Sequence, residues 1–181
     1  AGEAAMETDV LELIRDHFRE VGIALYIHAS QRDVFRSRAL AGDVLMAVWQ
    51  GLDNGVPTAD MSPDELAPTS GDQLQWPLWG TWYASAGDAG TEPDLPEAEQ
   101  LLKLLREWEG STLADRRAEI WAEMLALRAD QVFSIGTVNS ALHPVVRAAK
   151  MRNLPEKGLY GFEPTSYLGA YMPDTFFYEE G

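Results

Sequence analysis

The chain has 181 residues, of which 46% are hydrophobic, and a formal net charge of −15 with a sequence pI near 4.4. That apolar share suffices for one globular domain with a real core, whereas the charge argues against a nucleic-acid partner, which needs a basic footprint, and against docking on anionic lipid. The sequence has no cysteine, which excludes disulfides, thiol nucleophiles and Cys-ligated zinc, and no run of about 18 apolar residues that would span a membrane.

The first residues, Ala1-Gly2-Glu3-Ala4-Ala5, are too polar for an export signal and lack its basic start. Val10, Leu11, Ile14, Phe18 and Val21 then recur at helical spacing, with Thr8 or Asp9 as N-cap and Gly22 as the stop. Ile23 to Ala29 is an apolar run of β type. Ser30-Gln31-Arg32-Asp33 has the spacing of a capping box and predicts a helix to about Leu40, closed by Gly42. Val44 to Trp49 reads as a second strand. Helix, strand, helix, strand with glycine joints is the pattern of parallel pairing by crossover.

Residues 51–93 break that rhythm with glycine, proline and small polar residues. Flexible linkers are poor in aromatics, so Trp76, Trp79, Trp82 and Tyr83 mark this stretch as an ordered excursion, of the long kind that is usually functional. Asp94-Leu95-Pro96-Glu97 opens the next helix, with Ala98, Leu101, Leu102, Leu105 and Trp108 as its buried stripe. Thr112 to Asp115 starts another, with Ile120, Trp121, Met124 and Leu127 facing inward, and the two predict a helical hairpin. Gln131 to Val138 and Val145 to Ala149 read as further strands. The last thirty residues, rich in glycine, proline and aromatics, predict a tail laid over the surface.

Chemistry-bearing motifs are sparse. His17, His28 and His143 are scattered, and no spacing supplies the three or four converging ligands of a metal site. No Walker loop, GxSxG elbow or GxGxxG fingerprint occurs. Acid pairs such as Glu92 with Asp94, Glu97 with Glu99 and Asp53 with Asp60 are no denser than so acidic a chain produces by chance. A small carbohydrate-active hydrolase with acids beside the tryptophans is the competing class. Two features suit a binding cleft instead. Asp53 follows the strand ending at Trp49, where loops leaving a strand's carboxyl end hold ligands in α/β proteins, although Asp53-Asn54-Gly55 taken alone reads as an ordinary turn. Trp76, Trp79 and Trp82, three apart, fall toward one side if the segment is helical and offer either core packing or a stacking surface.

Several segments taken together resemble the extracytoplasmic solute-binding proteins of ABC transporters, in the family (family 5) that carries peptides, nickel and some oligosaccharides. They are Leu13 to Ile23 (LIRDHFREVGI), Phe35 to Asp43 (FRSRALAGD), Met46 to Gly51 (MAVWQG), Met151 to Glu156 (MRNLPE) and Pro173 to Phe177 (PDTFF). The resemblance covers nearly the whole chain and corresponds to the C-terminal portion of such proteins. It implies a single α/β domain over 1–181, the second lobe of a bilobal receptor, with a central mixed, largely parallel sheet and helices on both faces in three layers. It also implies a periplasmic location, a membrane permease as partner, a monomeric protein, no cofactor and no catalysis. In peptide-binding members an aspartate in the loop after this strand pairs with the ligand's amino terminus, and Asp53 stands at the matching position. Trp49, Asn54, Trp76 and Trp79 complete the expected ligand-binding set. Val56-Pro57 replaces the usual acid-proline and Leu52 is an insertion, so an oligopeptide and an oligosaccharide both stay open as solute.

Overall fold

The computed structural model describes residues 5–48, 61–137, 142, 144–158 and 173–179. In chain order these form α1 (Ala5–Glu20), α2 (Arg32–Leu40), a 3₁₀ turn (Asp64–Leu66), α3 (Pro77–Ala84), α4 (Pro96–Gly110), α5 (Ala114–Gln131), β1 (Met151–Arg152), a second 3₁₀ turn (Pro173–Thr175) and β2 (Phe177–Tyr178). The chain divides into two compact units, one of Ala1–Gln50 with Ala67–Lys103, the other of Gly51–Leu66 with Leu104–Gly181.

In the first unit the two glycine stops act as the sequence predicts. Gly22 sits at φ +84°, its N–H donates to the Arg19 carbonyl at 3.1 Å, and the Ile23 N–H reaches Phe18 at 2.9 Å. Gly42, at φ +79°, closes α2 the same way, with its N–H on Ala39 at 3.0 Å and that of Asp43 on Arg38 at 2.9 Å. These are Schellman ends, in which a residue without Cβ takes the left-handed position and orphan carbonyls gain partners. The capping box at the start of α2 does not form. Gln31 holds the N-cap position without a side-chain bond to the helix, and the Ser30 hydroxyl donates to the Gln31 carbonyl at 3.3 Å. Phe35 and Ala39 carry the buried face of α2, and α2 packs on α3. The first half of α4 adds Ala98, Leu101 and Leu102, all buried. Leu95 stands at the N-cap of α4: its carbonyl accepts from the Ala98 and Glu99 N–H groups, with Pro96 in the first helical position.

The second unit is built around α5. Ile120, Trp121 and Met124 are buried as expected, while Leu127 is half-buried. Leu104, Leu105 and Trp108 of the second half of α4 are also buried. Two side chains of α5 fasten the 3₁₀ turn and the residues before it: Trp121 Nε1 donates to the Met61 carbonyl at 2.9 Å, and an Arg128 guanidinium nitrogen donates to the Leu66 carbonyl at 3.1 Å. Burial of Arg128 depresses its pKa from the ordinary value, because desolvation penalises the charged form. At the hairpin end, Arg117 lies over the Trp108 ring at 4.4 Å and donates to the Ser111 carbonyl at 2.8 Å. Arg116, at the surface, bridges Glu107, Glu119 and Glu123 at 2.9–3.1 Å.

β1 and β2 make a short antiparallel ribbon in register Met151↔Tyr178 and Arg152↔Phe177. Asn153, at φ +66°, pins its end by donating to the Thr175 carbonyl at 3.2 Å and hydroxyl at 2.8 Å. Arg152 pairs with Glu179 across it.

This ribbon is the one sheet among the described residues. The expected central, largely parallel sheet is not among them: residues 23–29, 44–48, 133–137 and 145–149 are in neither strand nor helix. At Gln131, where a strand is expected to begin, α5 still runs, and the chain then turns at Val132 in the left-handed region, φ +52°, with no strand over 133–137. The physical reason is that a strand, unlike a helix, draws its backbone partners from another segment. Several apolar side chains of these runs stand exposed, with Tyr26 at 80%, Leu45 at 98% and Val146 at 96% of full exposure, while Leu25, Ile27, Val44, Val48 and Phe133 are half-buried.

Candidate functional site

The expected ligand-binding set falls into two parts. Trp49, Asp53 and Asn54 lie outside the described residues. Trp76 and Trp79 are described, and the structure brings them together at the start of α3.

Their placement follows from local chemistry. Pro77 occupies the first helical turn, where a missing N–H costs nothing, and Trp76 takes the N-cap position. The three-residue step from Trp76 to Trp79 then aligns the rings, with centroids 6.1 Å apart and planes inclined by 25°. Trp76 is buried, and its Nε1 donates to Gln73 Oε1 at 3.0 Å; the same oxygen accepts the Thr69 N–H at 3.3 Å. Trp76 is therefore a packed support, and Trp79, half-buried, is the member of the pair with a solvent-facing part. Trp82 and Tyr83 follow on α3, also half-buried.

Glycines let the surrounding chain close on α3. A Cβ on Gly80 would stand 2.0 Å from the Ser70 carbonyl oxygen, and one on Gly90 (φ +80°) would stand 2.3 Å from that of Leu78. The return turn is held by the Thr91 N–H on the Leu78 carbonyl at 3.1 Å and by the Ala89 N–H on Ser85 Oγ at 2.9 Å. Polar side chains beside the rings spend hydrogen bonds inside this knot: Gln73 as above, and Thr81 Oγ1 by donating to the Pro77 carbonyl at 2.8 Å. The face thus offers apolar stacking area with a satisfied polar framework beneath it. Gln73 was not among the expected residues; nothing in its spacing separates it from any other loop glutamine.

His17 and His28 are both exposed, and no group of three or more His, Asp or Glu able to hold a metal ion occurs among the described residues. No helix among them is long and apolar enough to cross a membrane. Of the acid pairs, Glu92, Asp94 and Glu99 are exposed and Glu97 half-buried; none of them takes part in the aromatic pair. No protein-family model matches the chain, and no curated protein matches it.

Proposed function

We propose that this chain is the second lobe of a periplasmic solute-binding protein of an ABC importer, which captures an oligopeptide or similar polar solute and hands it to a membrane permease. The observation that carries the reading is the set of apolar, β-prone runs at 23–29, 44–48, 133–137 and 145–148, with Tyr26, Leu45, Ile135 and Val146 exposed, while the stripes of α4 and α5 are buried. Runs of that composition belong inside a sheet. A three-layer α/β lobe whose central sheet gains strands from the rest of a bilobal protein supplies the partners they need. The segment resemblances from Leu13 to Phe177 point the same way.

Function in such a receptor is clamshell closure, in which a bound solute bridges two lobes and shifts an open–closed equilibrium. Asp53 is the electrostatic anchor for a cationic ligand group, because a carboxylate pairs more strongly in a closed, water-poor cleft than at a surface. Asn54 supplies neutral hydrogen bonds beside it, and Trp49 forms a wall. Trp79, backed by Trp76, offers stacking area. The satisfied polar groups under the tryptophans favour an apolar ligand part there over a sugar, whose hydroxyls demand hydrogen-bond partners. No cofactor or catalytic group enters this reading.

The test is Asp53→Ala in the intact two-lobe receptor, read by tryptophan fluorescence with tripeptides. The expected outcome is affinity weaker by tenfold or more at an unchanged melting temperature, the scale of losing a charge-assisted pair. Unaltered affinity would remove the anchor role. Turnover of chromogenic glycosides by the wild-type protein would replace the reading with the hydrolase.

A further inference from the structure

We draw no further inference here: the strongest candidate, the half-buried aromatic face of α3 formed by Trp79, Trp82 and Tyr83, belongs to the site already described, and nothing in the structure shows what covers it.

Discussion

The buried stripes of α4 and α5 and the apolar runs at 23–29, 44–48 and 145–148 are both apolar and opposite in fate at their most exposed positions. Ile120 and Met124 are fully buried, whereas Tyr26, Leu45 and Val146 stand almost wholly in solvent. A helix closes its backbone hydrogen bonds within its own turns, so an amphipathic stripe needs only one packing partner. A strand closes none of its own and waits for a neighbour. The difference teaches that hydrophobicity alone does not decide burial here. Local hydrogen bonding alone does not secure burial either: no described side chain of α1 is buried, whereas Pro63, Ala67 and Pro68, outside the helices, are.

Substitution breaks or sharpens that contrast most strongly at the helix core. Met124→Ala is expected to cost about 2–5 kcal/mol, the range for emptying a fully buried site, while Val146→Ala stays within about 0.5 kcal/mol. Chemical denaturation of the 181-residue chain measures both, and equal losses would abolish the contrast. Gly80→Ala is next: a methyl group forced against the Ser70 carbonyl is expected to cost about 1–3 kcal/mol. Thermal unfolding would register it as a lower midpoint.

Val132→Gly should act in the opposite direction. A β-branched residue in the left-handed position at the end of α5 is strained, and glycine there is expected to return about 1 kcal/mol. A destabilised variant would show that the contacts of the Val132 side chain outweigh its backbone strain.

The smallest effect is expected at Arg116. The hydrogen bonds that Arg116 donates to Glu123, Glu119 and Glu107, in that order of effect, raise its pKa above the ordinary arginine value. A raised folded pKa means that its contribution is fully present below the ordinary arginine pKa and is lost only as pH rises through the raised value. Arg116→Ala should therefore give a slight loss of melting temperature, constant through neutral and mildly alkaline pH and fading in high salt. A loss that persists in molar salt would assign Arg116 a packing role.

What was legible in the sequence follows the same division. The stops at Gly22 and Gly42, the α4 stripe from Ala98 to Trp108 and the α5 stripe at Ile120, Trp121 and Met124 were all readable, because helix periodicity and glycine ends are local signals. The helical turn that aligns Trp76 with Trp79 was readable from a three-residue spacing. The burial of Trp76 was not, since it depends on Gln73 and on the close approach at Gly80. The strand readings at 23–29 and 133–137 rested on composition alone, and composition does not provide the pairing partner. For the site, Asp53, which lies outside the described residues, was legible from its place after a strand-like run and from resemblance.

The most direct measurement is a thermal-shift screen of the intact receptor against tripeptides and oligosaccharides, with Asp53→Ala run in parallel. Solute capture between lobes predicts stabilisation by a peptide, about 2.7 kcal/mol at a hundredfold excess over Kd, and its loss in the variant. A wild-type protein whose melting point no solute raises would contradict the account.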